Sequence, residues 1–192
     1  TLESIGKSYK ITRERVRQIQ EYGIKKITTS GSYGLLAPVF RSIERYIDFR
    51  GGVVRESDIF SDLAKPKDAA QLSFVLRFMP GLVISKETDD LHVRYALDHK
   101  ALKEADDLLT SVHKSLEEKL TPVPYAYMTQ LAPQNILALS RRVKQGPFGE
   151  WGLSEWASIV PRGVRDKAHL VFEQEKRPLH FKEISQLIDK YF

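Results

Sequence analysis

Cysteine is absent from this chain of 192 residues, methionine and tryptophan occur twice each, and no apolar run approaches the length of a membrane span. Lack of cysteine excludes disulfides and thiolate zinc sites, although it says nothing about compartment. A membrane helix needs about 20 consecutive apolar residues, and no secretory signal pattern opens the chain. The five histidines, His92, His99, His113, His169 and His180, show no metal-ligand spacing. No phosphate-binding glycine loop is present, and Asp89-Asp90 and Asp106-Asp107 read as solvated charges rather than paired catalytic carboxylates. These absences argue against an enzyme, and point to no cofactor, no metal and no small-molecule substrate.

What is present is a hydrophobic content of 42% and a net charge of +5, enough apolar material for two or three small cores. The charge is unevenly placed. Residues 1–34 carry seven Lys/Arg against three Asp/Glu, residues 35–122 are slightly acidic, and residues 123–192 carry ten basic against seven acidic side chains. Basic character therefore gathers at the two ends, the distribution expected of a nucleic-acid binder.

The N-terminal stretch is the most informative. Leu2, Ile5 and Tyr9 recur at helical spacing and share one face of a short first helix. A turn is expected at about Tyr9 to Ile11. Thr12 is a suitable N-cap for a second helix running to about Ile27, with Ile11 and Val16 placed as a hydrophobic staple. On that helix Val16, Ile19, Gly23 and Ile27 project to one side and are expected to face a core. Arg13, Glu14, Arg17, Gln18 and Glu21 occupy the opposite arc. Two short helices with a tight turn, the second polar and basic, form the pattern of a helix-turn-helix DNA reader. Arg suits a guanine edge, Gln an adenine edge and Glu the cytosine amino group, so Arg13, Glu14, Arg17 and Gln18 are the candidates for base readout. Thr12, Arg15, Lys25 and Lys26 are candidates for phosphate contact, which adds affinity without sequence information. The bland alternative is an amphipathic helix with a solvated charged face.

The run T-L-E-S-I-G-K-S-Y-K-I-T-R-E-R-V-R-Q-I resembles region 4, the C-terminal DNA-reading segment of sigma-70 family transcription initiation factors, over about residues 1–27. Ser4 stands where an acidic residue is usual, Gln20 replaces the common Glu, and Tyr22-Gly23 replaces a helix-favouring stretch. The resemblance implies that Arg13, Glu14, Arg17 and Gln18 read an upstream (−35) promoter element, with Arg15 beside them. It also implies double-stranded promoter DNA and the RNA polymerase core as partners, and a bacterial cytoplasm or nucleoid as location. Because the chain opens inside the motif, it is expected to be a fragment.

Residues 29–35, a Ser/Thr/Gly cluster, are expected to form a linker. Over 36–98 the order is helix (36–49), strand (53–54), short helix (57–63), helix (68–78) and hairpin (82–97), with Gly51-Gly52 stopping the first helix. That is the order of a winged helix. Its third helix offers Lys67, Gln71 and Arg77 but also Asp68, and its hairpin tip Lys86-Glu-Thr-Asp-Asp90 is acidic. An acidic wing repels phosphate, which favours a protein-contacting or spacer role over direct DNA binding.

Residues 99–122 are expected to form a connecting helix striped by Leu102, Ala105, Leu108, Leu109, Val112, Leu116 and Leu120, short for a coiled coil. The last module, 123–192, begins with a helix expected over 133–144, followed by an aromatic, glycine-rich loop from Gly146 to Gly152. Phe148, Trp151 and Trp156 are expected to tuck onto a small core. Helices follow at 165–173 and through Ile184, Leu187 and Ile188. The stretch from W-G-L-S-E-W to H-F-K-E-I-S-Q-L-I resembles the opening of the HARE-HTH domain, a winged helix of bacterial RNA polymerase delta subunits and of chromatin and restriction proteins, over about residues 151–192. The later helix and wing of that domain are not reached, so a C-terminal truncation is expected.

The expected fold is mainly α, a helix-turn-helix followed by winged-helix modules with small β-hairpins. The expected function is a sequence-specific, sigma-like transcription factor. Three alternatives stay open: a stand-alone regulator that does not bind polymerase, a scaffold that uses helix-turn-helix folds for docking, and a DNA-targeting module of a restriction or modification system.

Overall fold

Two helices open the structure, a computed structural model that describes all residues, Thr1–Phe192. α1 (Leu2–Tyr9) ends where Lys10 takes a left-handed φ of 53°, and the Ile11 amide returns to the Gly6 carbonyl at 2.9 Å. α2 (Arg13–Thr28) starts after Thr12, whose hydroxyl accepts from the Arg15 amide at 3.1 Å. The turn is tight because Gly6 has no side chain: a Cβ there would stand 2.7 Å from the Ile11 carbonyl oxygen.

The segment 29–35, expected as a linker, is instead a structured bridge. A 3₁₀ turn, Gly31–Leu36, follows α2, and the Tyr33 hydroxyl donates to the Phe78 carbonyl at 2.5 Å. Ile27, Tyr33 and Leu36 pack against the core of the next unit. The small polar residues that suggest a loop do not reveal the tyrosine anchor among them.

That next unit comprises α3 (Ala37–Phe49), β1 (Val53–Arg55), α4 (Glu56–Leu63), α5 (Ala69–Leu76), β2 (Val83–Ser85) and β3 (Arg94–Ala96). Gly51 and Gly52, with φ of 84° and 83°, end α3 in a conformation that disfavours any side chain. The three strands form an antiparallel sheet in the order β1-β3-β2, with Val54 opposite Tyr95 and Val53 opposite Ala96. This order of helix, strand, helix, helix and hairpin, with β1 closed onto β3, is consistent with the winged-helix arrangement expected. Successive side chains of a strand point to opposite faces, and here both faces are covered: Val54 and Tyr95 join Phe40, Ile43, Ile47 and Ile59, whereas Val53 and Ala96 join a second core.

The second core reassigns the helix expected as a connector. α6 (His99–Lys119) buries Ala105, Leu109, Val112 and Leu116 among residues of β1, of 123–139 and of the following hairpin. After it come an isolated bridge of Val123 to Trp151, α7 (Tyr125–Leu131), α8 (Gln134–Leu137), β4 (Val143–Gln145) and β5 (Trp151–Leu153). The order helix, strand, helix, helix, hairpin thus occurs a second time, with α6 as its first helix.

The helix expected over 133–144 is a single turn. The Ser140 hydroxyl captures the amides of Arg142 and Val143, each at 3.1 Å, which redirects the chain into β4. The glycine-rich loop is the tip of the β4–β5 hairpin, and both tryptophans pack against the second core. Phe148 lies edge-on to Tyr191 and Phe192. α9 (Val164–Glu175) and α10 (Phe181–Tyr191) complete the chain, paired by their own contacts and by Tyr191 to Glu175 at 3.3 Å.

Candidate nucleic-acid interface

α2 carries the candidate site, and its first turn is capped and charged. With Thr12 as the cap, Arg13, Glu14 and Arg15 occupy the first three helical positions at the positive end of the helix dipole, and the Thr12 hydroxyl takes the Arg15 amide. All the residues expected to read bases, Arg13, Glu14, Arg17 and Gln18, are exposed. A network of side-chain bonds links most of them. Arg17 Nε and Nη2 donate to the two oxygens of Glu14 at 2.8 and 2.6 Å, and Arg17 Nη1 donates to Glu21. Gln18 donates to Glu14 at 3.5 Å and accepts from Arg15 at 3.3 Å. The hydrogen bonds from Arg17 hold the Glu14 carboxyl below its usual range, and Glu14 in turn raises the Arg17 guanidinium above its own. Arg13 stands outside this network and makes no ion pair.

The residues expected at phosphates divide in two. Thr12 is committed to capping through its oxygen, although its O–H can still donate. Lys25 and Lys26 lie exposed in the last turn, where cations suit the negative end of the helix dipole. By helical rotation Lys25 falls on the side of Glu14 and Gln18, and Lys26 on the flank with Arg15.

The opposite side of α2 departs from expectation. Val16 is buried and Ile27 reaches the first winged unit, but Ile19 is 51% exposed. Ile5, Tyr9, Ile11, Val16 and Ile19 line an open apolar recess of ≈ 400 Å³. A single short partner helix, pressed in at Gly6, is too small to cover that stripe. Gly6 is also the residue that sequence reasoning passed over. Its signal was a glycine inside a short helix, where alanine is intrinsically better.

Elsewhere the first hairpin and α8 are engaged within the chain, whereas α5 borders an open groove and leaves Lys67, Gln71 and Arg77 exposed around it. α5 has no basic side chain along Ala69–Leu76, and together with the C-terminal half of α2 it lines a groove of ≈ 230 Å³ that includes Ile24, Ile27, Phe74 and Phe78. The hairpin after β2 is pinned to the second unit: the His92 amide donates to Leu139, the Arg141 amide to Asp90, and the Arg141 guanidinium to the Thr88 carbonyl, at 2.9, 2.7 and 2.9 Å. In α8, Asn135 donates to the Arg50 carbonyl, and Gln134 accepts from the Tyr125 hydroxyl at 3.1 Å. No group of three or more His, Asp or Glu side chains is placed to hold a metal, and no helix is long and apolar enough to cross a membrane.

The capped, turn-linked geometry of α1 and α2 sits where a family comparison finds its match. Residues 1–28 match the family model for sigma-70, region 4. The match supports a DNA-binding helix-turn-helix of sigma-like type over this segment, a regulatory rather than catalytic element. It ends with the last residue of α2, so the two winged units and the C-terminal helices lie outside it. No curated protein and no solved structure matches the chain.

Proposed function

We propose that the chain is a sequence-specific, sigma-like transcription factor that inserts α2 into the major groove of a −35-type promoter element and acts with RNA polymerase in transcription initiation, in the bacterial cytoplasm or nucleoid. The observation that carries this reading is the exposed, capped N-terminal face of α2, within the segment that matches sigma-70 region 4. Arg13 and Arg17 are assigned to guanine edges, Gln18 to adenine and Glu14 to a cytosine amino group. Thr12, Arg15, Lys25 and Lys26 contact phosphates and set register. Polymerase association is the part that rests on the sigma-like character alone. The winged units act as a docking and spacing body, since α8 and the first hairpin are engaged within the chain and α5 carries no basic side chain along Ala69–Leu76. The C-terminal helices, with their HARE-HTH-like sequence, are assigned to a further winged-helix-type module.

The test is selection of bound sites from random duplex DNA at fixed moderate salt, with Arg17→Ala alongside. Recovery of a short motif that the variant blurs, with roughly 10- to 100-fold loss at the selected site, supports base readout by Arg17. Equal loss on all sequences would reduce Arg17 to a phosphate contact. Co-purification with core polymerase then separates a sigma-type role from a stand-alone regulator.

A second reading, a protein-docking helix-turn-helix, is favoured by the open recess of Ile5, Tyr9, Ile11, Val16 and Ile19. On that reading duplex affinity is weak and insensitive to salt.

A further inference from the structure

We infer that Glu21 is a specificity-determining residue that acts through Arg17: it withholds the guanidinium from phosphates while leaving it available to a base edge. This inference rests on the DNA-reading role proposed for α2.

All three nitrogens of Arg17 are occupied in the free protein, two by Glu14 and the third by Glu21. The three side chains run along one exposed arc of α2, spaced i, i+3 and i+7, with Arg17 48% and Glu21 60% exposed. The cluster therefore carries a net negative charge on a helix face that is otherwise basic at Arg13 and Lys25, with Arg15 and Lys26 on its flank.

The two modes of contact with DNA differ in what they leave to Glu21: a guanine edge takes the two nitrogens that Glu14 releases and leaves Nη1 paired with Glu21, whereas a phosphate draws the guanidinium away from both carboxylates. A guanine edge offers Arg17 two parallel acceptors, and Glu14 can turn to a cytosine amino group. A lone phosphate compensates the guanidinium but leaves the Glu21 carboxylate unpaired beside a polyanion. Glu21 thus disfavours the unspecific mode more than the specific one, which is discrimination by penalty against the wrong partner. Exposed ion pairs are individually weak, so the effect is several-fold rather than orders of magnitude.

The experiment compares the full chain with Glu21→Gln on the selected site and on random duplex, across a salt series. Glutamine is nearly as good a helix former as glutamate, and an unchanged circular-dichroism melt checks that the fold is retained. The expected result is about 3- to 10-fold tighter binding to random duplex with less than about 2-fold change at the selected site. The log–log salt slope on random duplex should steepen by about 0.9 as Arg17 gains a phosphate. In an Arg17→Ala background most of the Glu21→Gln gain should vanish. An equal gain on both DNAs, or the same gain without Arg17, would overturn the inference and leave Glu21 as an ordinary solvated acid. If the unsubstituted chain shows no site preference, the reading of α2 as a base reader fails and takes this inference with it. A preserved preference that Glu21→Gln leaves unchanged sinks the inference alone.

Discussion

The helix pair at the start of the chain and the body behind it use their side chains in opposite ways. In residues 1–28 Val16 is the one buried hydrophobic residue, whereas the two cores behind hold nine and fourteen buried residues. Charges differ in the same sense. Arg94, 3% exposed, grips Asp106 through two bonds of 3.1 and 2.7 Å, and Arg142 gathers Glu117, Glu155 and Asp90. On α2, Arg13, Lys25 and Lys26 form no ion pair within the chain. The body uses charge to hold elements together; in the helix pair every ion pair lies within one helix, and Arg13, Lys25 and Lys26 stay available to a partner. The difference teaches that α1 and α2 depend on local devices, a cap, a left-handed residue and one glycine contact, together with the anchor at Ile27 and Tyr33.

The sharpest way to break this contrast is to damage each region by its own mechanism. Leu109→Ala empties a fully buried site in the second core and should cost about 2–5 kcal/mol in denaturant unfolding, with the turn between α1 and α2 unaffected in its amide exchange. Gly6→Ala forces a methyl group towards the Ile11 carbonyl and should cost about 1–3 kcal/mol. That loss should be confined to the helix pair, with faster exchange over residues 13–20 and an unchanged unfolding midpoint for the body. Were the midpoint to fall equally, the two regions would be one cooperative unit. Thr12→Ala removes the α2 cap and should cost about 1 kcal/mol, read as lower helicity in the first turn of α2 and weaker duplex binding.

A smaller effect should appear in the body on acidification. The Ser140 hydroxyl accepts two amides, so its own hydrogen goes to His113 Nε2 at 2.8 Å, which makes that nitrogen an unprotonated acceptor. Burial first, then the charge on Arg142, holds the His113 pKa below its ordinary value of 6.5. A histidine depressed in the folded state binds its proton more readily when unfolded. The stability it confers is therefore complete above pH 6.5 and is lost as the pH falls below it. His113→Gln should flatten that acid limb in thermal melts at pH 7 and pH 5. The smallest effect belongs to Lys26→Ala, which should leave folding unaltered and reduce the salt slope of duplex binding by about 0.9.

Much of the helix pair was legible because its signals are local. Thr12 as cap and the outward placement of Arg13, Glu14, Arg17 and Gln18 each depend on residues within one helical turn. Gly51-Gly52 as the stop of α3, and the order of helix, strand, helix, helix and hairpin after residue 36, were legible on the same ground. The exposure of Ile19 was not, because a hydrophobic stripe states a preference for burial and not whether anything is there to cover it. The helix expected over 133–144 failed because one hydroxyl, Ser140, captures backbone amides that helical periodicity assigns elsewhere.

The sequence by itself determined where α2 starts and where α3 stops, which face of α2 is charged, and that α1 and α2 form a turn-linked pair, since caps, glycines and 3.6-residue periodicity act over a few residues. Only the tertiary structure decided that α6 begins a second winged unit, that Val53 and Val54 serve different cores, and that the first hairpin is held against Leu139–Arg141. Those outcomes depend on pairings such as Val123 with Trp151 and Leu91 with Ser140. Such long-range contacts form only when the chain between them closes, and no local pattern announces which partners will meet.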